Sequence, residues 1–153
     1  MQALELKVPP VALVLVIALA MWGGSLVSPP IELPIIDRAI ATAVLVVVGT
    51  SVSLAGVVSF RRARTTVNPT MPNTTSTLVS SGIYAITRNP MYLGFLLILV
   101  GWTVFLSNTL AIIGPFAFVF YMNTFQISPE ERALSEIFGA EFSAYKTAVR
   151  RWL

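Results

Sequence analysis

The chain has 153 residues, of which 56% are apolar and only 11% charged, with a net charge of +3 and a mean hydropathy of +0.80. A soluble domain carries about 25% charge, so this composition excludes a water-soluble globule and implies one integral membrane domain spanning the chain. The absence of Cys and His excludes disulfides, thiolate nucleophiles, zinc–cysteine sites, haem–histidine ligation and any Ser-His-Asp triad.

Four apolar segments are predicted to be helical spans. The first, residues 8–27, opens with Pro9-Pro10 and is flanked by Lys7 and Glu5; it is longer than a signal core and is expected to be an uncleaved span. A loop with Ser28-Pro29-Pro30 and Leu33-Pro34 leads to the second, residues 40–60. The third and fourth, residues 91–106 and 110–126, lie near or below the lower limit of about 17–25 residues for a crossing helix. Ser107-Asn108-Thr109 between them favours a turn, so they are expected to form a tight hairpin. Nine of the ten basic residues precede span one, lie between spans two and three or follow span four, while Arg38 alone lies between spans one and two. The positive-inside rule then puts both termini and the loop 61–89 in the cytoplasm.

Polar residues concentrate in that loop and in the segment after span four. In the loop, Gly82 allows a turn. Asn89-Pro90 reads as cap and first residue of span three, with free N–H groups that suit an anion, and Arg88 adds a matching charge. Gly94, one turn in, would let a ligand or another helix approach. Residue by residue, ordinary membrane architecture explains the same features: Arg88 at the charged boundary, Tyr92 in the aromatic belt, Gly94 and Gly101 packing helices.

After span four, Ser128-Pro129-Glu130-Glu131 reads as a capping box. Leu134, Ile137, Phe138, Phe142, Tyr145 and Val149 recur at helical spacing, which predicts an amphipathic helix over 129–150 lying on the membrane. Gly139 marks a bend or a close contact, and Arg150, Arg151 and Trp152 are placed to anchor at lipid headgroups. Glu130 and Glu131 suit the positive end of a helix; two carboxylates at a bilayer surface also suit a cationic ligand.

Gly82-Ile83-Tyr84, Arg88-Asn89-Pro90-Met91-Tyr92-Leu93-Gly94 and, beyond the hairpin, Glu130-Glu131 with Leu134, Phe138-Gly139 and Tyr145 together resemble the isoprenylcysteine carboxyl methyltransferase and phospholipid methyltransferase superfamily of membrane enzymes. The resemblance covers roughly residue 61 onward. It implies an all-α polytopic membrane enzyme using S-adenosylmethionine, with no metal, on a lipophilic acceptor that enters from the bilayer. Gly82, Tyr84, Arg88, Asn89, Pro90, Tyr92, Leu93 and Gly94 would form one wall of the cofactor site and Glu130 and Glu131 the other. Arg88, Glu131 and Tyr145 are the candidate catalytic residues. Many members have His where this chain has Asn89, so any proton chemistry of that His is lost here. That leans toward methylation of a lipidic carboxylate, with an aminophospholipid or other amine as the alternative. A non-catalytic membrane subunit is the competing class, and it predicts no cofactor binding.

Overall fold

A computed structural model describes residues 5–63 and 77–153. The described chain is all-helical: α1 (Pro10–Ser25), α2 (Ile35–Arg62), α3 (Pro90–Leu106), α4 (Ile113–Tyr121) and α5 (Ser128–Ala148), with 3₁₀ turns at Gly82–Ala85 and Leu110–Ile112 and a π-helical turn at Met122–Ile127. Arg64 and the Thr/Asn/Pro-rich stretch of the expected middle loop lie outside the described residues.

Among the described residues, two helical runs are long and apolar enough to cross a membrane, α2 and the run Leu110–Ala148, while α1 and α3 are shorter apolar helices. At about 1.5 Å per residue, the 16 residues of α1 fall short of a hydrocarbon core of about 30 Å. Leu15, Val16, Leu19, Val47 and Leu54 are exposed. Such apolar surface without protein cover is what lipid would cover.

The most extensive helix contact is between α2 and α3, and small residues permit it. A Cβ built on Gly94 would lie 2.2 Å from the Gly49 carbonyl oxygen and 2.1 Å from Ser53 Oγ. The backbones are close enough that Thr42 Oγ1 donates to the Gly101 carbonyl (3.0 Å) and Ser53 Oγ to the Met91 carbonyl (3.1 Å). On the other side, Trp102 Nε1 donates to the Ala18 carbonyl of α1 at 3.1 Å. Met21, Leu99, Ala111, Phe118, Met122 and Ile127 form the core between α1, α3, α4 and the π turn.

Ser107 ends α3 in the left-handed conformation (φ 47°), and the chain resumes through the 3₁₀ turn into α4. Asn108 is buried there and holds the α1–α2 connection. Its Nδ2 donates to the carbonyls of Ser28 and Pro29 at 3.2 Å, and its Oδ1 accepts from Ser28 Oγ at 2.8 Å and from the Leu110 amide at 2.9 Å.

Two boundaries differ from the sequence expectation. Helix α2 begins at Ile35 rather than near residue 40, directly after Pro34, so the loop before it is shorter. The fourth apolar segment does not stop before Pro129: helical backbone continues from α4 through the π turn into α5, and Ile127 keeps helical angles (φ −69°, ψ −45°). The capping box therefore does not form. Ser128 Oγ turns back to the Asn123 carbonyl at 2.6 Å, and a proline inside a helix forfeits an amide and crowds the preceding turn, which the wider π turn accommodates. At Gly139 the helix bends (φ 51°, ψ −117°); a Cβ there would touch nothing within 4 Å, so the glycine serves the bend and not a close contact.

Candidate functional site

The start of α3 and the start of α5 meet. Asn89 occupies the N-cap position of α3 and Pro90 the first helical position, but the Asn89 side chain caps nothing. Its Nδ2 donates to the Arg151 carbonyl at 2.9 Å, while the fully buried Thr87 accepts from the Asn89 amide at 3.2 Å and donates to the same carbonyl at 3.3 Å. The Arg88 amide donates to the Arg150 carbonyl at 3.0 Å. Residues 149–153 thus run as a strap across the Arg88–Asn89 corner.

Side chains complete the join. Arg88 Nη1 lies 3.1 Å from Glu131 Oε1, both side chains largely buried. This is an ion pair without hydrogen-bond alignment, since Arg88 Nε and Nη1 have no hydrogen-bond partner among the described residues. Glu131 is instead gripped by Arg151, whose Nε reaches Oε1 at 3.1 Å and whose Nη2 reaches Oε2 at 2.6 Å. Glu130 Oε1 accepts from the buried Tyr92 hydroxyl and from Gln126 Nε2, each at 2.6 Å. Glu130 lies beyond the apolar stretch, and burial pushes its carboxyl up to about 7, with the Tyr92 and Gln126 hydrogen bonds acting in the opposite direction.

A third contact joins α5 to the 3₁₀ turn. Tyr145 donates to the Tyr84 carbonyl at 2.7 Å. Phe142, Tyr145 and Val149 pack with Leu78, Leu134 and Phe138, and the Tyr84 ring meets Phe60 of α2 edge-on at 5.2 Å. Gly82 opens that turn at φ 63°, with Ser59 of α2 beside it. Burial pushes the Tyr145 hydroxyl up to about 12 and raises that of Tyr84 as well. Both phenols therefore keep their protons near neutral pH.

The structure brings Arg88, Asn89, Tyr92, Glu130 and Glu131 together and links Tyr84 to Tyr145. Pro90 and Leu93 are buried in the first turn of α3. Gly94 faces α2, so its missing side chain admits a helix there. Arg151 and Trp152, expected at lipid headgroups, have protein partners: Arg151 pairs with Glu131, and Trp152 Nε1 donates to Asn123 Oδ1 at 3.1 Å while its ring packs on the core. Sequence reasoning missed Thr87, Asn123, Gln126 and Arg151. For Asn123 and Gln126 a signal existed, because amides inside an otherwise apolar helix need partners. No group of three or more potential metal ligands occurs among the described residues.

The sequence model of the phospholipid methyltransferase family matches residues 38–141, more than half of the chain and inclusive of both halves of this site. The chain belongs to that family and is a membrane-associated protein of a methyltransferase lineage. An uncharacterized protein of Haemophilus influenzae is 51% identical over 63 residues, which are 41% of this chain and 100% of that protein. The protein-S-isoprenylcysteine O-methyltransferase of Saccharomyces cerevisiae is 37% identical over 75 residues, 47% of this chain and 30% of the yeast protein; the match thus spans under a third of that relative's length. No solved structure matches the chain.

Proposed function

We propose that this chain is an S-adenosylmethionine-dependent methyltransferase acting on a lipophilic acceptor at the membrane surface. The observation that carries the reading is the meeting of two distant stretches, Arg88 with Glu131 at 3.1 Å and Tyr92 with Glu130 at 2.6 Å. The donor set fits the cofactor. The unmet Nε and Nη1 of Arg88 suit its carboxylate, Glu130 and Glu131 suit its ammonium, and the buried rings of Tyr84 and Tyr92 are of the type that suits adenine or sulfonium. Gly82, Asn89, Pro90 and Leu93 set the backbone of that wall, and Gly94 seats it against α2.

When bound, the cofactor supplies an electrophilic methyl group on a sulfonium. The chain's own contribution is alignment, which in favourable cases lowers a barrier by about 7–11 kcal/mol. Arg88 and Glu131 would orient the cofactor's carboxylate and ammonium. Tyr145, whose proton is engaged by the Tyr84 carbonyl, fixes the 3₁₀ turn against α5 and takes up no proton.

The acceptor in this reading is a lipidic carboxylate of the isoprenylcysteine kind, which is already a nucleophile at neutral pH and needs no base at Asn89. The burial of Glu130 favours a second reading, an amine acceptor such as an aminophospholipid: desolvation pushes its carboxyl up to about 7, where a carboxylate can take a proton near neutral pH. Both readings take the chain to cross the bilayer four times with the site at the cytoplasmic surface, a topology that the distribution of Lys and Arg supports.

The test is calorimetric titration of the purified protein with S-adenosylhomocysteine. Labelled methyl transfer to a total lipid extract follows. Saturable binding that is lost in Arg88→Ala and Glu131→Ala supports the enzyme. Absence of binding to folded wild-type protein overturns it in favour of a non-catalytic subunit. Base-labile label on the lipid product indicates a methyl ester, and base-stable label an N-methyl group.

A further inference from the structure

Two guanidinium groups meet one carboxylate at Glu131, and they do not share it equally. Arg151 holds both oxygens as a fork, at 3.1 and 2.6 Å, the geometry in which Arg binds carboxylates most strongly. Arg88 approaches Oε1 to 3.1 Å but forms no aligned hydrogen bond. The cluster keeps one positive charge in excess, and the unmet donors belong to Arg88.

Arg151 is fixed for this task from both ends. Its carbonyl is held by Asn89 and Thr87, its Nη1 lies 3.4 Å from Asn123 Oδ1, and the neighbouring Trp152 is tied to that same amide oxygen. Asn123 sits in the π turn, where the altered helical register is a recurrent feature of functional sites. The strap is therefore held by the start of α3, the π turn and α5 together.

We propose that Arg151 is a positioning residue: by saturating Glu131 it prevents Arg88 from closing on that carboxylate and keeps the Arg88 guanidinium open to the carboxylate of an incoming ligand. This rests on the proposed function. Arg88 already stands 3.1 Å from one Glu131 oxygen; without Arg151 both oxygens would be free to it, and an aligned internal fork would compete with the ligand's carboxylate.

The test compares two probes, S-adenosylhomocysteine and its decarboxylated analogue, which keeps the adenine and ammonium. Wild-type protein should bind the carboxylate-bearing probe at least tenfold more tightly. In Arg151→Ala that preference should fall to threefold or less, with affinity for the decarboxylated probe within twofold of wild type. An unchanged preference, or equal weakening of both probes as a merely structural role would give, overturns the inference. Arg151→Lys keeps the charge but not the fork, and it carries the comparison if the alanine variant does not fold. Its preference should lie between the other two, and a wild-type preference overturns the inference. Wild-type protein that binds both probes equally also overturns it while sparing the proposed function, whereas wild-type protein that binds neither overturns the proposed function itself.

Discussion

The Tyr92 hydroxyl of α3 donates to Glu130 Oε1 of α5 at 2.6 Å, joining residues 38 positions apart in the chain. The bond holds a carboxylate, and hydrogen bonds to a charged group typically contribute about 1.5–3 kcal/mol. It also works against the burial that raises the Glu130 carboxyl. Tyr92→Phe should therefore move Glu130 further upward. The expected outcome is S-adenosylhomocysteine binding several-fold weaker at pH 7, with the pH midpoint of binding displaced upward. Titrations between pH 6 and 9 check this, and an unmoved midpoint would show that Glu130 does not meet the ligand.

Glu130 also links stability to pH. Its carboxyl stands at about 7 when folded against an ordinary value of 4.5, so between those values the folded protein binds more protons than the unfolded chain. Stability falls as pH rises wherever the folded state holds the extra proton. The contribution is complete below about 4.5 and gone above about 7. Melting temperatures at pH 5 and pH 8 should show wild-type protein losing stability relative to Glu130→Gln, which has nothing to titrate there. Parallel curves for the two proteins would refute the assignment.

Gly94 tests the packing of α2 on α3. A Cβ there would lie 2.2 Å from the Gly49 carbonyl oxygen, and backbone cannot yield as a side-chain tip can. Gly94→Ala should force the helices apart and destabilise the protein by at least the 1–3 kcal/mol typical of overpacking. Thermal denaturation in detergent measures it. An alanine variant as stable as wild type would mean that the helices do not approach this closely.

At the opposite end of α3, Asn108 bonds to Ser28, Pro29 and Leu110. Asn108→Ala leaves several buried polar groups unpaired, at about 1–3 kcal/mol each when unrelieved. The melting temperature should drop clearly, while affinity for S-adenosylhomocysteine stays within twofold of wild type. A loss of affinity as large as that of Arg88→Ala would show that the two ends are coupled.

Apolar run lengths predicted helices at each of the four hydrophobic segments, and Asn89-Pro90 marked the start of α3, because these are local matters of hydropathy and of a ring that fits the first helical turn. The same local logic failed at Ser128, where a capping box was legible but Glu131 is held by Arg151, and the backbone runs on through a π turn. It failed again at Arg151 and Trp152, whose composition suits lipid headgroups equally well. The family motif implied that Arg88 and the two acids lie together, and in the structure Arg88 stands 3.1 Å from Glu131; their role in a cofactor site belongs to the proposed function. That Glu130 faces Tyr92 and Gln126 while its neighbour faces two guanidiniums is a matter of helical rotation, about 100° between successive residues. Composition and hydropathy by themselves determined that this is a helical, membrane-associated protein. Which carboxylate meets which cation was decided only by the tertiary structure, because those pairs are 20 to 43 positions apart and close only when the strap, the π turn and α3 are packed together.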